Sequence, residues 1–124
     1  EWAIVRQQNI KCLSPEQIRE KTPDGVITET LEYLAHCDEI YLSFDIDFMD
    51  ASLVPGTGTP VSNGLTEEQA AAFLQGFWKR APLVAMEITE INPMLDHANL
   101  TVSRVYRLMQ GLLGGHPISP TILS

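Results

Sequence analysis

In Ser43-Phe44-Asp45-Ile46-Asp47 two carboxylates stand one residue apart, and that pair is where the sequence could do chemistry. On an extended chain residues i and i+2 point to the same side, about 6–7 Å apart. Two unpaired carboxylates so placed repel each other unless a cation lies between them. Oxygen ligands with no thiolate nearby favour hard divalent ions such as magnesium, manganese or calcium. Spacing alone leaves a second reading open, in which one aspartate caps the turn and the other is solvated.

Two other D-x-D chemistries can be tested on the same residues. An EF-hand counted from Asp45 needs Asp or Asn at its fifth position, Gly at its sixth and Glu at its twelfth. Met49, Asp50 and Gly56 hold those places, so the EF-hand is excluded. Aspartyl-phosphate phosphatases of the haloacid-dehalogenase type want Thr or Val at the fifth position, where Met49 stands. That alternative is weak.

The elements that must position these acids alternate between strand and helix signals, the signature of an α/β layer fold. Residues 2–5 are short and apolar and read as a possible strand. Ser14-Pro15-Glu16-Gln17 reads as a helix start with a capping box, and Thr22-Pro23 as a second start. From there Ile27, Leu31 and Leu34 keep helical spacing to about His36. Residues 39–47 read as a strand, with Ile40, Leu42, Phe44 and Ile46 on one face and Tyr41, Ser43, Asp45 and Asp47 on the other. A loop rich in Pro and Gly runs from Asp50 to Gly64, where Asp50 most simply bonds local backbone. Thr66 and Gln69 open the next helix, with Ala70, Phe73, Leu74 and Phe77 as its buried stripe. Residues 83–91 form another apolar, strand-like run. The last helix covers residues 100–113, with Val102, Val105, Tyr106 and Met109 facing inward and Gly114-Gly115 ending it. Strands separated by capped helices predict a mostly parallel sheet with right-handed crossovers. Both acids then lie at a strand's carboxyl end, where open α/β sheets bind their ligands.

Composition bounds the rest. At 124 residues the chain is one domain at most, and 44% apolar residues suit a globular protein. Sixteen acidic against eight basic residues give a net charge of −8, which repels phosphate backbones and sets nucleic acid aside as a partner. No apolar run reaches the ~20 residues that span a bilayer. The first residues lack a secretion signal's basic region, so a cytoplasmic setting is expected. Cys12 and Cys37 form no C-x-x-C pair and read as reduced.

The stretch after the D-x-D is more specific. Asp45-Ile46-Asp47-Phe48-Met49-Asp50 runs on to Pro55-Gly56-Thr57-Gly58-Thr59-Pro60 and Gly64, and some thirty residues later comes Thr89-Glu90-Ile91-Asn92-Pro93. This resembles the two carboxy-terminal motifs of the ureohydrolases, S-x-D-x-D with its Pro-Gly turn and G-T-P step, then E-x-N-P. The continuation Met94-Leu95-Asp96-His97-Ala98-Asn99-Leu100-Thr101 looks more like arginases and formimidoylglutamases than agmatinases. The resemblance runs from about Tyr33 to Gly114.

That resemblance implies a three-layer α/β/α fold, with residues 1–124 as the carboxy-terminal portion of one ureohydrolase domain. It implies two manganese ions, with Asp45 bridging both and Asp47 chelating one. Glu90 pairs with the substrate's guanidinium, and Thr59 lies near that group in an orienting or substrate-binding role. Glu87 stands where many arginases have Asp. The substrate is a guanidino compound, arginine first, with agmatine and formimidoylglutamate as competitors, and the intact protein is a homo-oligomer, trimer or hexamer. In that chemistry two metals about 3.5–4 Å apart lower the pKa of a shared water for attack on the guanidinium carbon.

The family's remaining ligands come from a histidine motif and a D-x-H-x-x-x-D motif, and neither occurs here. His36 closes a helix, where it packs or caps. His97 and His116 fall in loops. Two aspartates cannot hold two metals alone, so the chain by itself is expected to be inactive. The other reading is a non-catalytic half-domain, truncated or degenerate, that binds a partner or a divalent ion without turnover.

Overall fold

Local hydrogen-bonding chemistry sets the element boundaries, as a computed structural model of the chain, which describes residues 2–114, makes plain. Ser14 and Thr66 each close a capping box, with Gln17 and Gln69, at the starts of α2 (Pro15–Glu20) and α4 (Glu67–Arg80). Thr22 caps α3 (Pro23–Tyr33) through the Gly25 amide. Each such cap contributes about 1 kcal/mol by pairing an amide that a helix start leaves open. The expected strand at residues 2–5 is instead part of a helix, α1 (Trp2–Gln7). Its backbone bonds close internally, with Gln8 and Ile10 amides donating to the Ile4 and Val5 carbonyls, and so need no strand partner.

Strand β1 (Ile40–Asp45) pairs in parallel with β2 (Leu83–Thr89), and the register sets Ser43 against Glu87, Phe44 against Ile88 and Asp45 against Thr89. Helix α4 makes the crossover between them, and α5 (Leu100–Leu112) follows β2. Leu42, Phe44, Met86 and Ile88 face a core built with Ala70 and Leu74 of α4 and Val105, Leu108 and Leu112 of α5. Burying each large apolar side chain there contributes about 1.5–3 kcal/mol. Val26 and Ile27 of α3 meet Leu65 and Phe73 in a second cluster. The opposite sheet face, with Tyr41, Ser43, Asp45, Ala85 and Glu87, is exposed. Among the described residues the sheet has these two strands, so each has an unpaired outer edge.

Two expectations shift. The strand ends at Asp45 rather than Asp47, because Asp45 Oδ1 accepts the Asp47 amide at 2.8 Å and starts a 3-10 turn, Ile46–Phe48. The inward face of α5 is Thr101, Val105, Leu108 and Leu112, while Val102 and Tyr106 are exposed. A buried threonine hides that stripe from an apolar pattern. Gly114 does take the left-handed conformation that ends α5, at φ +73; Gly115 lies outside the described residues.

The early segment is tied to α3 by charge. Lys11 and Lys21 both reach Glu29 and hold its carboxyl at about 2, down from the usual 4.5. Folding therefore favours the carboxylate, and this contribution is complete above pH 4.5 and lost as pH falls towards 2. Glu29→Gln is expected to lower the melting temperature at neutral pH, with the gap from the parent closing through that window. A gap that does not change with pH would show that the lysines add nothing through charge.

Candidate active site

Asp45 reaches its place because β1 terminates there, with its carboxylate on the exposed face. The 3-10 turn then carries Asp47 away from that face, where the hydroxyls of Thr57 and Thr59 donate to its two carboxylate oxygens. Thr57 is 3% exposed, and its oxygen also accepts the Thr59 amide at 3.2 Å. Asp47 lines a cleft of about 450 Å³ and Asp45 an adjoining one of about 310 Å³, and the two share Ile18 and Phe48. Of the two acids expected at the strand's end, Asp45 is there and Asp47 is not, because the turn replaces the last two strand residues.

Glu90 is the first residue after β2, one step beyond the partner of Asp45. Neighbouring strands lie ~4.8 Å apart, so Glu90 leaves the sheet beside the D-x-D, as the spacing predicts. It is exposed and has φ +65, the left-handed region in which a residue with a Cβ is strained. Asn92 follows, its amide donating to the Gly56 carbonyl at 2.8 Å, which ties the Glu90 turn to the loop carrying Thr57 and Thr59.

That loop closes on itself. The Asp50 amide donates to the Leu65 carbonyl and the Leu65 amide to the Phe48 carbonyl. The Asp50 carboxylate accepts from the Ser52 hydroxyl and amide and from the Asn63 amide. Those Ser52 bonds chiefly, with the amides of Asn63 and Gly64, outweigh desolvation and lower its pKa. The local role read from the sequence holds. Gly64 has no room for a side chain, since a Cβ would meet the backbone of Met49 and Asp50.

Sequence reasoning missed three residues. Thr57 holds Asp47, and the G-T-G-T run was its signal. Asp96 and Thr101 join α5 to Gly56, with no apolar pattern to mark them. His36 and His97 are exposed; α3 ends at Tyr33 with Leu34 as its cap, so His36 lies in the turn beyond and neither packs nor caps the helix, and His116 lies outside the described residues. Cys12 and Cys37 are free. No helix among the described residues is long and apolar enough to cross a membrane.

As a donor set, Asp45 and Asp47 fit a hard divalent ion in kind and fall short in number. Among the described residues no group of three or more His, Cys, Asp or Glu is gathered to hold a metal.

The family model described as "Arginase family" matches residues 1–114. The chain belongs to the arginase family. It is 33% identical over 114 residues to the arginase of Bacillus subtilis, covering 92% of this chain and 38% of that protein. It is 36% identical over 96 residues to the agmatinase of Cronobacter sakazakii, covering 77% and 31%. A crystal structure of Bacillus subtilis arginase superposes with a TM-score of 0.85 at 31% identity, over 95% of this chain and 44% of that one. This arginase-family chain is therefore α/β with a parallel sheet, and it spans about 38% of the length of the curated arginases it matches.

Proposed function

We propose that the chain is the carboxy-terminal portion of a manganese-dependent guanidino hydrolase, cytoplasmic and oligomeric when intact, with arginine as the leading substrate. The observation that supports this best is the parallel register, which brings Glu90 out of the sheet beside Asp45. Asp45 and Asp47 would be two ligands of a manganese pair completed from outside the chain. When bound, the pair supplies a water acidic enough to attack a guanidinium carbon. Glu90 would accept charge-assisted hydrogen bonds from the guanidinium and so hold its one carbon towards that water. Of the two roles open to Thr59, its bond to Asp47 favours orienting the carboxylate over touching substrate.

Urea release from arginine by the manganese-loaded full-length protein tests this reading, with agmatine and formimidoylglutamate as competing substrates. The expected result is turnover that chelation abolishes, fastest with arginine, and none from residues 1–124 alone. A second reading is a binding half-domain without turnover, and the shortfall of metal donors among the described residues favours it. It prevails if the full-length protein holds manganese and hydrolyses none of the three.

A further inference from the structure

One buried hydroxyl connects the two halves of the candidate site. Thr101, in the first turn of α5, is 0% exposed, and its Oγ1 accepts the Gly56 amide at 2.8 Å. Asp96 fixes Thr101 in turn: Oδ1 accepts the Thr101 amide at 2.9 Å and Oδ2 the Val102 amide at 3.1 Å. Burial pushes the Asp96 carboxyl up, but those amides, the Thr101 hydroxyl and nearby His97 hold it below the usual carboxylate range. This carboxylate takes over the capping of α5, because Asn99, at φ +57, makes no side-chain cap.

Gly56 sits where two lines of bonds meet. Its amide goes to Thr101, its carbonyl receives the Asn92 amide, and the next residue, Thr57, donates to Asp47. No other residue type fits, since a Cβ would lie 2.8 Å from both Asp96 Cβ and Thr101 Oγ1. On one side the chain leads within two residues to the strained Glu90, and on the other to the clamp on Asp47.

We infer that Thr101, seated by Asp96, is a positioning residue that sets the Asp47 carboxylate and the Glu90 turn together through Gly56. The inference rests on the function proposed above. Thr101 touches neither metal nor substrate, so its loss displaces both groups at once. A threonine that only fills the core would lower the melting temperature and leave both groups where they are.

The experiment compares Thr101→Val and Thr101→Ser in the full-length, manganese-loaded protein. Valine keeps the shape and removes the acceptor, leaving the buried Gly56 amide unpaired, whereas serine keeps the hydroxyl. Three quantities are read: bound manganese against free manganese, KM for arginine, and hydrogen exchange of the Gly56 and Asn92 amides. Valine is expected to weaken manganese binding and raise KM, each by about tenfold, and to speed exchange at both amides, with serine restoring all three. Normal manganese binding and KM in the valine variant overturn the inference, whatever its melting temperature, and so does a serine variant as impaired as valine. Should the valine variant not fold, Asp96→Asn keeps the volume and is expected to give the same pattern more weakly; unaltered metal binding and KM there overturn it too. A parent protein that binds no manganese overturns the functional reading instead, and with it the joint effect on metal and KM. The exchange measurement separates the two failures: slow exchange at Asn92 in the valine variant overturns the Gly56 link itself.

Discussion

Asp45→Ala in the full-length protein is expected to lose both manganese ions and bring arginine hydrolysis to background. The proposed role makes this carboxylate common to both ions, so no partial site survives its removal. The fold should hardly notice. Asp45 is exposed at a strand end, and its recorded bond is the one from the Asp47 amide. Losing one such bond amounts to about 2–4 °C in a domain of this family's size. Asp47→Ala should differ in kind. It removes the acceptor of the buried Thr57 hydroxyl, so it loosens the loop while mainly losing one ion, and residual turnover is expected at high manganese. Metal content by elemental analysis, beside melting curves and kinetics, checks both variants. Equal and mild effects from the two changes would mean that these aspartates only shape the loop.

Glu90→Gln is expected to lower kcat/KM by roughly thirty- to several-thousand-fold while manganese content stays at the parent level. Glutamine keeps size and hydrogen-bonding capacity and removes the charge that a desolvated guanidinium needs. Losing one partner of such a pair costs about 2–5 kcal/mol, which converts to that range in the specificity constant. The substitution also keeps the left-handed backbone at this position, so the strain is the same before and after. A structural acid tying the strand end to the turn before Pro93 would give the opposite result, a lower melting temperature with near-normal kinetics. One preparation measured for metal, melting and kinetics decides the matter, and normal turnover or lost manganese removes Glu90 from the role proposed for it.

What the sequence makes legible is governed by how local the cause is. The capping boxes at Ser14 and Thr66 lie within four residues each, and both were readable. So was the placing of Asp45 and Glu90 at the ends of neighbouring strands, because D-x-D and E-x-N-P follow apolar runs. The first helix was not, since a run as short as Trp2-Ala3-Ile4-Val5 carries no period to tell helix from strand. The turn at Asp47 was hidden as well. Continued alternation through Ile46 and Asp47 looks extended until the Asp45 side chain captures the next amide but one. Least legible was the link from Asp96 and Thr101 to Gly56, which spans 45 residues between Thr101 and Gly56 and depends on a polar side chain lying in the core. Pattern reading assigns such residues to the surface by default.

The two unpaired outer edges of β1 and β2 have a bearing on handling the chain alone. A row of open amides and carbonyls is a template for any extended segment that meets it. Here, among the described residues, two such rows flank an exposed face bearing Tyr41, Ala85 and Glu87. A net charge of −8 keeps like copies apart by repulsion, and salt weakens that repulsion over about 10 Å at 0.1 M. As residues 1–124 alone, the chain would owe its dispersal in solution more to charge than to shape, and a low-salt buffer would protect it better than a cold one.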